Sequence, residues 1–312
     1  MSFFAILLAL LLEQARPLGR DNVVHGGMRS WARWVRHTLD AGQRHHGWSA
    51  WLLAAGVPAL LATGVYVMLW QVSGLMAFAW TALVLYMTLG FRQFSHHFTA
   101  IREALESGDE TGARAALAHW QGVDVNDLPR QEVLRHVIEH SVLAAHRHVF
   151  GVLVCFVVLA MLGLGPAGAV LYRMAEFLSR AWRAAPQDAP SVALQHAAAK
   201  AWDVLDFVPA RVTALGFAVA GNFEEAVASW RQDSDRLGTP NDGVVLAATA
   251  GAINVRLGGR PLGATPVEPA PPGTEGREPQ LAHLASVVGL VWRSVVLWLL
   301  LLALVTLARL VG

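Results

Sequence analysis

The sequence predicts an all-α, polytopic membrane protein with four to six membrane-embedded helices and a cytoplasmic helical layer. Three observations carry that expectation. Two apolar runs, Trp48 to Trp70 and Val287 to Leu310, reach the roughly 20 residues that a bilayer-crossing helix needs. A polar segment before the first of them is rich in arginine, and the polar stretches between apolar runs keep helical spacing. The 312-residue chain is 54% hydrophobic, with 24 Lys and Arg against 23 Asp and Glu. That near balance argues against nucleic acid as a partner, since such binders carry a basic excess on one face.

Ser2 to Leu12 is apolar but has no basic segment before it and no small-residue cleavage site after it, so it reads as a retained membrane helix and not a secretory signal. From Gln14 to Gly47 the charges are Arg16, Arg20, Arg29, Arg33, Arg36 and Arg44 against Asp21 and Asp40, which places this segment in the cytoplasm by the positive-inside rule. Trp48 to Trp70 is a span with an interfacial Trp at each end, and Pro58 is expected to bend it. A short link, Gln71 to Gly74, leads to a return through Leu75 to Phe91. Both ends of that hairpin are then cytoplasmic.

Residues 92–148 read as a cytoplasmic helical insert. Thr99 to Leu105 and Thr111 to His119 are helical, joined at Ser107-Gly108-Asp109, and a third helix starts at Arg130 with Asp127 as its candidate N-cap. Val149 to Leu164 is apolar and slightly short for a span. The chain turns at Gly165-Pro166-Ala167-Gly168 and returns through Ala169 to Trp182, where Arg173, Glu176 and Arg180 must face protein or water because charge is costly in lipid. Residues 183–259 read as cytoplasmic or juxtamembrane helices, two of them meeting at Pro209 and another at Phe223 to Trp230. The Pro/Gly-rich residues 260–280 read as a surface loop or disordered linker. The last span, 287–310, is interrupted only by Arg293, which can snorkel.

The candidate chemistry is concentrated in a few places. Thr239-Pro240-Asn241-Asp242-Gly243 is turn chemistry that should start a helix, and the apolar run after it is too short to cross a bilayer. A helix N-terminus beside Asn241, with Arg256 one short element away, suits an anion such as phosphate. A turn and a short packed helix account for the same residues without a ligand. His136 and His140 lie one helical turn apart and could face one ligand, but no third ligand is evident, so no metal site is expected. Glu139, His140 and Ser141 follow one another on that helix, where a carboxylate could act as a base or hold a cation; a polar helix face at the membrane boundary explains them equally. Asp203 and Arg211 flank the break at Pro209, where an ion pair alone would suffice. Cys155 is the only cysteine, so no disulfide forms within the chain. Phosphate-loop, dinucleotide-fold and serine-elbow motifs do not occur.

Several of these stretches together resemble one family. Asp203 to Asp206 with Pro209-Ala210-Arg211-Val212-Thr213-Ala214-Leu215, then Pro240-Asn241-Asp242-Gly243, Ala250-Gly251-Ala252 and Val255-Arg256-Leu257-Gly258-Gly259, are similar to the motifs of the CobD/CbiB family, the adenosylcobinamide-phosphate synthases. Glu139-His140-Ser141 and Gly165 to Arg173 resemble its Glu-Asn-Ser stretch and its Pro-Gly-Ala-Tyr-Arg hairpin. The resemblance covers most of the chain and implies a multi-pass protein of the bacterial inner membrane. It also implies ATP-dependent amide formation between adenosylcobyric acid, a corrinoid, and an aminopropanol-type amine, with Mg as the accompanying ion. Carried over by position, Glu139 and Asp203 are the catalytic candidates, and His25, Ser141, Arg211, Asn241, Asp242 and Arg256 the substrate-binding ones. The chain departs from the family pattern at Leu18-Gly19-Arg20, Gly26-Gly27, His140, Leu143, Glu176 and Ser179. Its first forty residues and Ala145-His146-Arg147-His148 also resemble AmpE, a membrane protein of the same superfamily, which implies a non-catalytic regulatory or accessory role in the envelope as the alternative.

Overall fold

The computed structural model describes residues 2–16, 23–40, 42–123, 125, 127–183, 190–263 and 271–311. Among these, regular structure is helical throughout, with a single isolated bridge between Val255 and Arg277. The chain opens with α1 (Ser2–Ala15), α2 (Val23–Leu39), α3 (Arg44–Val72) and α4 (Gly74–Thr88). Next come α5 (Phe91–Glu106), α6 (Glu110–Gln121), α7 (Arg130–Ala145), α8 (Gly151–Met161) and α9 (Ala167–Ala181). Then follow α10 (Val192–Leu205), α11 (Phe207–Ala220), α12 (Phe223–Asp233), α13 (Pro240–Ile253) and α14 (Leu281–Val311).

Among the described residues, three helices are long and apolar enough to cross a membrane: Arg44–Val72, Arg130–Met161 and Leu281–Ala308. Three shorter apolar helices, α1, α4 and α11, accompany them. The most apolar window of α3 is only 22% buried and that of α14 28%, against 61% for Arg130–Met161. Leu60, Leu61 and Met68 on α3 and Leu300, Leu304 and Leu307 on α14 are therefore apolar surface that lipid would cover.

Several boundaries differ from those expected. Pro58 sits inside a continuous α3, and the link to α4 is Ser73 alone, whose side chain accepts from the Leu75 N–H. The apolar run after His148 is not a short separate helix. It is joined to α7 by a π turn, His146–Phe150, into one 32-residue helix, because the polar His146-Arg147-His148 triplet has protein partners and does not need to leave the helix. The N-cap of α7 is Pro129, not Asp127, and that of α6 is Asp109, which accepts from the Gly112 N–H. The α10–α11 break falls at Asp206, placing Pro209 in the first turn of α11, where its missing N–H removes no helical bond. Residues 271–280 pack against the strand-like segment after α13, with the Thr274 N–H donating to the Leu257 carbonyl at 2.8 Å and the Arg256 N–H to the Arg277 carbonyl at 2.7 Å.

The chain forms two compact units, Met1–Phe91 with Arg147–Pro209, and Arg92–His146 with Ala210–Gly312. In the first, α3 packs on α2, α4, α9 and α10, while α8 packs on α9. Small residues set those distances: a Cβ on Gly47 would collide with the Ala193 carbonyl, and one on Gly151 with the Tyr172 ring and hydroxyl. In the second, α13 is the core, packed by α7, α12 and α14, and every residue from Asn241 to Ala252 is buried. Its start follows from the turn residues: Thr239 is the N-cap, Pro240 the first helical residue, and the Thr239 hydroxyl donates to the Asp242 carboxylate at 2.8 Å. Asn254 ends it in the left-handed conformation, φ 52°.

Candidate functional site

The densest polar cluster of the second unit is built on α7 and closed by the loop after α13. Residues three and four apart on a helix share a face, so Glu132, Arg135, His136 and Glu139 meet. Arg135 is 4% exposed. Its Nη1 donates to both Glu139 oxygens at 2.9 and 3.1 Å, its Nε donates to Glu132, and its Nη2 donates to Glu132 and, at 2.8 Å, to the Arg260 carbonyl. Nη2 also lies 3.0 Å from His136 Nε2. The other ring nitrogen, Nδ1, faces Glu139 Oε2 at 3.4 Å.

Glu139 Oε1 also accepts the Gly258 backbone N–H at 2.6 Å. This bond ties α7 to the Val255–Gly259 segment, the two stretches that carry the sequence motifs of this unit. Gly258 and Gly259 have φ of 84° and 103°, where a side chain would be strained, and Gly259 lies against the Arg135 guanidinium. The same loop presents Arg256 to solvent, its backbone fixed by Arg277.

The other candidates of this unit are placed separately. Arg211 donates to Asn241 Oδ1 at 3.2 Å at the start of α13. Arg256 follows the end of that helix. At 1.5 Å per residue, the fifteen steps between Asn241 and Arg256 separate them by roughly 20 Å, so the expectation that both grip one small anion does not hold. The N-terminus of α13 is also closed by the chain's own carboxylate, Asp242, which is bonded to Thr239. Ser141 lies two residues beyond Glu139 and so points to another face; it is 2% exposed and its hydroxyl has no hydrogen-bond partner among the described residues. His136 and His140 meet different neighbours: His136 lies against Arg135 and Glu139, whereas the His140 ring packs edge-on to Trp120 with centroids 4.3 Å apart. Among the described residues no three His, Cys, Asp or Glu side chains gather as metal ligands.

In the first unit, Asp203 is half-buried, whereas Asp206, three residues on, is fully buried and accepts the Tyr172 hydroxyl at 2.7 Å. Asp206 belongs to the same motif as Asp203, and the helix break between α10 and α11 is what turns it inward. Arg173, also buried, donates to His148 Nδ1 at 2.7 Å and to Glu176 at 3.4 Å, and Arg180 reaches Glu176 at 2.6 Å. His25 on α2 stands near this group. Burial, followed by the charges of Arg173, Arg29 and Arg180, holds its ring below the usual histidine value, with Glu176 opposing.

These features define a class: a helical membrane protein with a buried carboxylate–guanidinium cluster locked to a glycine loop. The chain belongs to the CobD/CbiB family, whose model, described as CobD/Cbib protein, matches residues 2–291. A relative from Stutzerimonas stutzeri, "Cobalamin biosynthesis protein CobD", is 34% identical over 96% of both chains. One of the same description from Chromobacterium violaceum is 33% identical over 69% of this chain and 67% of its own, and one from Mycobacterium tuberculosis is 40% identical over 30% of this chain and 31% of its own. No solved structure matches the chain.

Proposed function

We propose that this chain acts in cobalamin biosynthesis at the inner membrane as an adenosylcobinamide-phosphate synthase-type ligase, joining the carboxylate of adenosylcobyric acid to an aminopropanol-type amine. The observation that carries the reading is the Gly258 N–H bond to Glu139, which joins α7 and the Val255–Gly259 loop around one largely buried ion-pair cluster. Of the four contacts on the Glu139 oxygens, the one from His136 is the longest at 3.4 Å. An incoming amine displaces that contact, and Glu139 Oε2 takes the proton the amine loses as the amide forms. Arg135 holds the carboxylate in place, and Arg256 offers its guanidinium to an anionic group of the substrate.

ATP would supply the driving force by phosphorylating the carboxylate, so that one carboxyl oxygen leaves with phosphate as the C–N bond forms. Mg²⁺ does not fit the Glu139 cluster: both carboxylate oxygens are engaged by N–H donors, whereas a Mg²⁺ site needs free oxygen ligands. No step is assigned to the ion here. Asp203, the other acid candidate, lies in the first unit and is tested by its own variant.

A second reading, an AmpE-like accessory protein, is favoured by one observation: Arg173 already has Glu176 and His148 as internal partners, which leaves it compensated without a ligand. Expression in a strain lacking its cobinamide-phosphate synthase separates the two. Growth on cobyric acid, lost in Glu139→Ala and Asp203→Asn, supports the ligase. No rescue by membrane-inserted protein, or rescue that both variants retain, overturns it.

A further inference from the structure

Residues 273–278 form a strap across the segment that carries the Gly258 N–H, and the proposed chemistry does not use them. Thr274 is 2% exposed. Its hydroxyl oxygen accepts the Leu257 N–H at 2.9 Å, and its own N–H donates to the Leu257 carbonyl at 2.8 Å, so one residue holds both backbone groups of Leu257. The Arg256 N–H, one residue earlier, goes to the Arg277 carbonyl at 2.7 Å. The approach is close: a Cβ on Gly273 would stand 2.7 Å from the Leu257 carbonyl oxygen. At its far end the strap is tied to α7, where Gln131 Nε2 donates to Glu278 Oε2 at 3.0 Å.

Gly258, which donates to Glu139, is followed by a second glycine, and two glycines in succession have the most backbone freedom to lose and no side chain to hold them. What aims the N–H must therefore lie on the other side of the peptide. The Leu257 carbonyl and the Gly258 N–H belong to one planar trans unit and point opposite ways, so fixing the carbonyl on Thr274 directs the N–H away from the strap and onto the carboxylate. We propose that Thr274 is a positioning residue, whose grip on Leu257 holds the Gly258 N–H against Glu139 and so keeps that carboxylate in place for proton transfer. Its part in the reaction rests on the ligase reading; the grip itself does not.

The test uses the full-length protein in neutral detergent. Thr274→Val keeps the branched shape but leaves the buried Leu257 N–H without its acceptor, and hydrogen exchange at the Gly258 amide is expected to quicken about tenfold. The amides of α13 should exchange as in the parent, and Thr274→Ser, which keeps the hydroxyl, should restore the parent rate at Gly258. In ligase assays with adenosylcobyric acid, ATP and an aminopropanol-type amine, kcat of Thr274→Val is expected to fall about tenfold with KM for the amine unchanged, as for an interaction made in the transition state, and to recover in Thr274→Ser. Where Thr274→Val fails to fold by circular dichroism and thermal unfolding, Gly273→Ala, which presses the strap away from the Leu257 carbonyl, takes its place. Unchanged exchange at Gly258 in a folded variant overturns the grip. Quickened exchange with unchanged kcat, or a loss that serine does not recover, overturns the part in the reaction. A parent without ligase activity fails the ligase reading and that part with it, while exchange still decides the grip.

Discussion

The five N–H donors of a guanidinium decide how much of Arg135 is left for a ligand. Glu132, Glu139 and the Arg260 carbonyl take them, so this arginine is a positioning residue and Glu139 the group it positions. Removing one member of a buried ion pair strands the other, which typically costs about 3–5 kcal/mol. Glu139→Ala is therefore expected to lower unfolding stability by about that amount, less whatever Glu132 recovers. Arg135→Met alone should cost a similar amount, and the double variant less than the sum. Thermal or denaturant unfolding of all four proteins in one detergent checks this, and additive losses would show that the two residues do not act as a pair. Glu139 itself was legible in the sequence from its place in the motif. Its partners were not: Arg135 reads as one more charge on a polar helix face, and a backbone N–H 119 residues away leaves no mark on side-chain pattern. The burial of Asp206 was hidden for a related reason, since two acids three residues apart look alike until the helix break turns one of them inward.

At the scale of elements, what local physics controls was readable and what packing controls was not. Thr239-Pro240 predicts the start of α13 because an N-cap hydroxyl and a proline at the first helical position act within four residues. The π turn at His146–Phe150 is different. It keeps α7 and α8 in one helix because His146 finds Thr213 at 2.9 Å and His148 finds Arg173, partners 67 and 25 residues away. The α8–α9 contact gives a test. Gly151 leaves the room that the Tyr172 hydroxyl occupies on its way to Asp206, so Gly151→Ala forces the ring aside, and overpacking of this kind costs about 1–3 kcal/mol. Tyr172→Phe removes only the hydroxyl and its bond, an expected loss of about 1–3 kcal/mol for a buried acceptor left unmatched. Because the alanine presses on the same hydroxyl, the double variant is expected to lose less than the two single losses combined. Unfolding midpoints measured on the set decide it, and a Gly151→Ala protein as stable as the parent would show that α8 and α9 approach less closely than described.

For the whole molecule, the distribution of arginine and the apolar helices make one joint statement about orientation. Arg16, Arg20, Arg29, Arg33 and Arg36 lie before the α3–α4 hairpin and Arg44 at its first residue, whereas the tip at Gln71 to Gly74 carries no charge. Positive residues are retained on the cytoplasmic side, so the hairpin should enter from the cytoplasm and turn at the outer face. The single cysteine makes this directly measurable. With Cys155 replaced by serine, cysteines placed one at a time at Arg36 and Ser73 report the side each occupies. A membrane-impermeant maleimide added to intact cells is expected to label position 73 and to reach position 36 only after the membrane is opened. The reverse pattern would put α2 and its arginines outside, away from cytoplasmic ATP. Labelling of both positions in intact cells would mean that the 15-residue α4 and the second half of α3 do not complete a crossing, and α3 would then have to be read as lying along the membrane surface.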